Sequence, residues 1–202
     1  MEFVPTTKVY AVGELRITHS RINFGGKRFF DGEFVILRDS GTPDIIPVSI
    51  PEIALPTPIM MKNPVLLEGE LRSYKMPDSS GQLHRVCTIY AHSIKASEML
   101  EHTQYVECSG FLMRKPIPRM TPKGRYITEI QLRVPRARGD KEDTIPVLIW
   151  GNMNGQIISN WEAGTPVTVC GRVQSREYQN RLGARMSIVE ISASDFYFSG
   201  GV

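Results

Sequence analysis

The sequence predicts an all-β protein built from two similar domains. Apolar and β-branched residues alternate with polar ones at period two along most of the 202 residues, and glycines or prolines bound the runs. The chain also repeats itself: Asp44-Ile-Ile-Pro-Val recurs as Asp143-Thr-Ile-Pro-Val, and a Pro-Val, Gly, Ser pattern beginning at Pro64 recurs from Pro166. Two domains at residues 1–96 and 105–202, joined by a linker at 97–104, follow from this repeat.

The first copy is predicted to contain five strands and no helix. A basic, aromatic hairpin follows the first strand, and Gly25 and Gly26 are expected to provide the positive φ angles of its turn. Five prolines between Pro43 and Pro58 argue against a helix after the third strand. The predicted strands are Lys8–Leu15, Glu33–Arg38, Asp44–Ile50, Pro64–Tyr74 and Arg85–Ala91.

The second copy repeats this order, and we expect a helix within it. Asn152–Ala163 is the best helix candidate, with Gly164 as its stop signal. A basic hairpin, Arg114–Arg125, again follows the first strand, and the linker Lys95–Thr103 is expected to form a short helix. The predicted strands are Tyr105–Met113, Tyr126–Val134, Asp143–Gly151, Thr165–Tyr178 and Arg185–Ala193.

Five strands with a helix between the third and the fourth is the element order of the oligonucleotide/oligosaccharide-binding (OB) barrel. The sequence therefore predicts two tandem five-stranded OB-fold barrels, with the short helix only in the second. The alternative architecture is a pair of β-sandwiches.

Composition excludes several classes of function. No run approaches eighteen apolar residues and no secretory signal precedes the first strand, so a cytoplasmic protein without membrane contact is expected. The three cysteines, Cys87, Cys108 and Cys170, are expected to be reduced and packed. The four histidines show no metal spacing, and the sequence contains no enzyme motif. We expect no catalytic residue, no metal and no cofactor.

Charge distinguishes the two halves. Residues 1–104 carry 11 Lys and Arg against 12 Asp and Glu, whereas residues 105–202 carry 13 against 9. The strand from Thr165 to Tyr178 places Arg172, Arg176 and Tyr178 on one face. Arginines neutralise phosphates and an aromatic ring accepts a base in stacking, so this face suits a polyanion that carries flat bases.

The second half resembles the bacterial single-stranded-DNA-binding protein family. The resemblance runs from about Tyr105 to Phe198 and rests on the order and spacing of four features. These are Gly110, Thr121-Pro-x-Gly124, Ile-x-Val-Leu-Ile-Trp-Gly151, and Gly171-Arg-Val-Gln-Ser-Arg176 with Tyr178.

The resemblance implies two stacking residues and a set of phosphate contacts. In that family bases stack on aromatic residues at the positions of Trp150 and Tyr178. Two further tryptophans of the family are missing here, near Arg136-Ala-Arg138 and Thr144. Phosphate contacts by Arg133, Arg136, Arg138 and Lys141 are expected to substitute for the missing stacking faces. The predicted cationic contacts are Arg119, Lys123, Arg125, Arg133, Arg136, Arg138, Arg172 and Arg176.

The first half lacks this site. Its equivalents of Trp150 and Tyr178 are Pro51 and Met76. It is expected either to serve assembly or to bind DNA through a hairpin cluster, for which the alternative is packing against a neighbouring domain or subunit. The cluster consists of Phe24, Lys27, Arg28, Phe29 and Phe30.

We therefore expect a non-catalytic protein that binds and protects single-stranded DNA in replication, repair or mobile-element transfer. The alternatives are a primosome-like protein-interaction module and an RNA- or oligosaccharide-binding barrel. Tandem-barrel members of the family suggest a homodimer, and Phe111, Met113 and Leu148 are expected to form exposed apolar surface for it. The family usually ends in an acidic tail that recruits other proteins, but this chain ends at Ser199-Gly-Gly-Val202, so such recruitment is not expected.

Overall fold

The computed structural model describes most of the chain and is almost entirely β-structure. The described residues are 3–55, 64–77, 81–99, 101–121, 123–137, 139–151, 160–179, 183 and 185–198. The chain divides into two compact units. The first-barrel unit comprises Lys8–Tyr105 and Val173–Val189, and the second-barrel unit comprises Met1–Thr7, Val106–Arg172 and Glu190–Val202.

The first barrel is closed by five strands. β1 pairs antiparallel with both β2 and β4, β2 pairs with β3, β4 pairs with β5, and a short parallel pairing of β3 with β5 completes the circuit. A single 3-10 turn, Glu52–Ala54, follows β3. The strands are β1 Thr6–Ile22, β2 Arg28–Leu37, β3 Pro43–Pro51, β4 Val65–Pro77 and β5 Leu83–Ala96.

The second barrel has the same topology. β6 pairs with β8 and β10, β8 pairs with β9, β9 runs parallel to β11, and β10 and β11 are neighbours. The short β7 adds a hairpin arm beside β8. The strands are β6 Thr103–Leu112, β7 Ile117–Met120, β8 Tyr126–Pro135, β9 Glu142–Trp150, β10 Pro166–Gln179 and β11 Arg185–Phe198. The predicted pair of five-stranded barrels is confirmed.

Alternation along the strands builds a separate core in each barrel. Fully buried Phe34, Ile46 and Leu67 fill the first, and Leu132, Ile145 and Ile191 fill the second. Because neighbouring strands approach closely where the barrel bends, one position in β4 and one in β10 tolerate no side chain. A Cβ on Gly69 would meet the carbonyl oxygen of Tyr90, and a Cβ on Gly171 would meet that of Ser192.

The first hairpin turn is also the same in both barrels. Asn23 and Thr121 each donate their backbone N–H to the carbonyl four residues later, at 3.0 and 2.8 Å. Gly26 and Gly124 adopt positive φ angles of 72° and 75°, and the side-chain oxygens of Asn23 and Thr121 accept a further backbone N–H. Gly25 does not adopt positive φ, so the prediction that both glycines do so was wrong.

Three further expectations need correction or stay open. The described residues between β5 and β6 form no helix, because Ser97 continues the pairing of β4 and β5 by donating its N–H to the carbonyl of Pro64. Leu148 is buried rather than exposed, and Phe111 lies in edge contact with Phe3. The helix predicted at Asn152–Ala163 falls mostly outside the described residues.

The predicted packing of the cysteines is confirmed: Cys87, Cys108 and Cys170 are buried. Each lies within a strand, where a thiol behaves as a small apolar side chain.

The described residues contain no helix long and apolar enough to cross a membrane.

Candidate nucleic-acid interface

The candidate interface begins with Trp150, the last residue of β9. Its cross-strand neighbour on β8 is Ile127, and its indole N–H donates a hydrogen bond of 3.2 Å to the hydroxyl of Ser192 on β11. The ring is thus held by Ser192 while 42% of the residue stays exposed. A fixed and accessible aromatic ring has the properties required for stacking on a base.

Cations lie beside this tryptophan on the hairpin of β7 and β8. Arg119 is opposite Ile127, so Arg119, Ile127 and Trp150 form a row across three strands, about 10 Å long at the backbone. Arg119 donates to Glu129 at 2.5 Å, but half of its side chain is exposed. At the tip of the hairpin Lys123 and Arg125 are exposed, and within the described ranges neither has an ion-pair partner.

Tyr126 belongs to the same region, although the sequence reasoning missed it. It opens β8 directly after the turn, it is 39% exposed, and its carbonyl accepts the N–H of Gly151 at 2.9 Å. This bond ties Tyr126 to the residue that follows Trp150. An aromatic residue next to Lys123-Gly-Arg125 in a basic hairpin was the signal that could have found it.

Arg133 lies on β8, six residues from Ile127 and therefore about 20 Å along the strand. Its guanidinium carbon is 5.7 Å from the centroid of the Phe111 ring, and a nitrogen lies 3.6 Å from a carboxylate oxygen of Glu142. Both contacts are long and nearly half of the side chain is exposed, so the charge is available to a second anion.

Arg136 has a different environment, because its guanidinium is held by a buried carboxylate. It donates two hydrogen bonds, of 2.8 and 2.7 Å, to Asp143, which is 3% exposed. The first barrel contains the same fork: Arg38 donates to the fully buried Asp44 at 2.8 and 2.6 Å. This hydrogen bonding raises the pKa of Arg38 further above its ordinary value. A fork repeated in both barrels indicates a structural role for Arg136.

The remaining predicted residues do not all fall in the second-barrel unit. Arg172 belongs to it and is half-buried, whereas Arg176 and Tyr178 are exposed and belong to the first-barrel unit. Arg138 and the segment 152–159 lie outside the described residues. Lys141 is exposed before β9.

The corresponding surface of the first barrel is built differently. Tyr90 occupies the place of Ser192, since each provides the carbonyl that closely approaches the equivalent glycine of its barrel, Gly69 or Gly171. The guanidinium carbon of Arg72 lies only 3.4 Å from the centroid of the Tyr90 ring. A base could reach that face only by displacing the arginine.

The side chains of the hairpin cluster in the first barrel differ in their exposure. Phe24 at the tip is fully exposed, whereas Phe29 is 8% exposed, with the Arg21 guanidinium carbon 4.8 Å from its ring centroid. Lys27 and Arg28 are exposed, Phe30 is half-buried, and Arg28 lies 3.8 Å from Glu52. Phe29 therefore packs within its own barrel, and Phe24 is the accessible ring of the cluster.

Comparisons with known proteins agree with this geometry at two levels. The fold of the whole chain resembles that of the single-stranded DNA binding protein from Thermus aquaticus, with a TM-score of 0.74 and 18% identity over 98% of this chain and 95% of the other. The class of protein is thus a tandem OB-fold barrel.

The family likeness lies in the second half. Residues 104–199 match the single-strand binding protein family. Over 93 residues it is 31% identical to the single-stranded DNA-binding protein of Streptococcus mutans, covering 43% of this chain and 56% of the relative. It is 29% identical to that of Chlamydia muridarum over 94 residues, covering 46% and 60%. The chain thus spans little more than half the length of these relatives.

Proposed function

We propose that this protein binds single-stranded DNA without catalysis and with little dependence on sequence. The observation that carries the proposal is Trp150, an accessible indole fixed by Ser192 beside a basic hairpin in the half of the chain that matches the single-strand binding protein family. Stacking on an indole is possible for every base, and phosphate neutralisation is independent of sequence.

The proposed surface has two kinds of contact. Trp150, Tyr178 and, in addition to the sequence prediction, Tyr126 provide stacking faces. Arg136 is assigned to the fold because of its fork with Asp143. The proposed phosphate contacts are Arg119, Lys123, Arg125, Arg133, Arg172 and Arg176, with Arg138 and Lys141 as further candidates from the sequence.

The process, the location and the assembly belong to the same proposal. We infer a cytoplasmic protein that covers single strands in replication, repair or mobile-element transfer and works as a homodimer.

Exposed Met113 and Phe24 are apolar surface that a second copy could cover. Light scattering at micromolar concentration should give about twice the 22.8 kDa of one chain. The mass of a single chain, unchanged on adding oligo-dT, would exclude the dimer.

Fluorescence anisotropy with labelled oligo-dT, oligo-rU and duplex DNA at two salt concentrations tests the function. We expect oligo-dT to bind more tightly than duplex DNA and the affinity to fall steeply with salt. A preference for duplex DNA, or no binding to any of the three at low salt, would contradict the proposal and leave a protein-interaction module as the alternative.

A further inference from the structure

A partly buried contact within the first-barrel unit fixes one point of the segment that carries Arg176 and Tyr178. That segment is the end of β10, whose residues from Val173 onward belong to this unit. All three polar groups of Ser175 are engaged. Its N–H donates to Asp44 at 2.7 Å, its hydroxyl accepts the N–H of Ile45 at 2.8 Å, and its carbonyl accepts from Arg38 at 3.2 Å.

The carboxylate of Asp44, at the centre of this contact, is held rigidly. The carboxylate of Asp44 is fully buried, and a buried charge is tolerated only where its partners are fixed. One oxygen accepts from Arg38 and from Ser175, and the other accepts a second bond from Arg38. Asp44 therefore has a fixed orientation, which it imposes on the backbone at Ser175.

Fixing Ser175 also fixes the direction of the residues that follow. The Ser175 carbonyl belongs to the peptide group that contains the Arg176 nitrogen, so its bond to Arg38 orients that peptide plane. Arg176 and Tyr178 project from the same face of β10 because side chains alternate along a strand. Both are exposed, as side chains that contact a ligand must be.

We propose that Asp44 and Ser175 form a clamp through which the first barrel presents Arg176 and Tyr178 to single-stranded DNA in a fixed orientation. The proposal rests on the proposed function, and Asp44 and Ser175 are positioning residues that need not touch DNA. Because these two side chains are already ordered before single-stranded DNA binds, less conformational entropy is lost on binding. The first barrel then contributes to DNA binding even where its own aromatic rings are covered.

Ser175→Ala removes one of the three hydrogen bonds that hold Ser175, because it deletes the acceptor of the Ile45 N–H. The two bonds to the Ser175 backbone and the Arg38–Asp44 fork stay in place. Ser175→Thr retains a hydroxyl and should restore the contact. Ser40→Ala is the matched control, since it removes an exposed hydroxyl from the loop just before Asp44. Asp44→Asn is a stronger change that also weakens the fork, and it is used only if it folds.

The experiment is a double-mutant cycle on oligo-dT affinity, with melting temperature as the check on folding. We expect Ser175→Ala to weaken binding about threefold to tenfold, which is the effect of losing one hydrogen bond. Ser175→Thr and Ser40→Ala should bind as the wild type does. In a chain that already carries Arg176→Ala and Tyr178→Ala, Ser175→Ala should have less than about a twofold effect, because the side chains that it positions are gone.

Two results would overturn the clamp while leaving the proposed function intact. One is an equal loss from Ser175→Ala with and without Arg176 and Tyr178, which would place its effect elsewhere. The other is wild-type affinity in a folded Asp44→Asn protein, in which the acceptor of the Ser175 N–H has lost its charge, or, where that variant does not fold, in a folded Ser175→Ala protein. If the wild-type chain itself fails to bind oligo-dT, the proposed function fails, and the positioning role fails with it.

Discussion

The two barrels share a framework but differ on the surface where a strand of DNA would lie. In the second barrel the place at the end of the third strand holds Trp150, which rests on the small side chain of Ser192 and stays open. In the first barrel the same place holds Pro51, and beside it Tyr90 is covered by Arg72. The buried fork, the turn and the close strand approach are thus common to both barrels, whereas the outer residues at the equivalent places differ.

The largest expected effect concerns the shared framework. Arg38→Ala and Arg136→Ala each leave a buried carboxylate without its main partner, so each should lower the free energy of unfolding by about 3–5 kcal/mol. Urea denaturation followed by circular dichroism measures this. A loss below about 1 kcal/mol in one of the two variants would show that its fork is not part of a shared framework.

The second effect tests the close approach of strands in both barrels. Gly69→Ala and Gly171→Ala place a Cβ against a backbone carbonyl that cannot move without disturbing the neighbouring strand. Each should cost about 1–3 kcal/mol of stability. Ala11→Gly, at a buried strand position, serves as a control for backbone flexibility and should cost about 1 kcal/mol. Equal losses in all three variants would argue against a steric role for the two glycines.

The third expected effect is a loss of oligo-dT affinity that differs between the two barrels. Trp150→Ala should weaken oligo-dT binding about tenfold or more, because a base stacked on an aromatic ring contributes about 1–3 kcal/mol. Pro51→Ala, at the equivalent place, should leave the affinity unchanged. Anisotropy titrations of both variants, with melting temperatures as a check on folding, decide this. A larger loss of affinity from Pro51→Ala than from Trp150→Ala would show that the stacking site lies in the first barrel instead.

The smallest effect compares two cations at the same position of the same turn. Arg125→Gln should reduce the slope of log affinity against log salt by about 0.7 unit, the value for one phosphate contact on a single strand. Lys27→Gln in the first barrel should leave that slope unchanged. A change of slope in the Lys27 variant would instead support DNA binding by the hairpin of the first barrel.

Much of the fold could be predicted from the sequence, because strands are encoded locally. Period-two alternation placed each barrel strand, and the recurring Asp-x-Ile-Pro-Val aligned the two copies at Asp44 and Asp143. The role of these aspartates was missed. Their arginine partners lie six and seven residues earlier, across a polar loop that conceals the pairing.

The rest of the site depends on contacts that no local pattern contains. The hydrogen bond from Ser175 to Asp44 joins residues 131 positions apart, and the bond from Trp150 to Ser192 spans 42. Leu148 alternates with core residues and was expected to face solvent, but neighbouring groups in the folded chain bury it. Whether an outward position is covered is decided by such tertiary packing, which the strand period does not determine.

Stacking of bases on Trp150 can be measured directly by tryptophan fluorescence. The chain has two tryptophans, and Trp161 is 3% exposed with its ring in edge contact with Phe196. Oligo-dT should therefore quench the wild-type emission through Trp150, and the quenching should disappear in Trp150→Phe, which keeps a smaller ring for binding. Undiminished quenching in Trp150→Phe, or saturated binding of the wild type without quenching, would contradict the stacking of bases on Trp150.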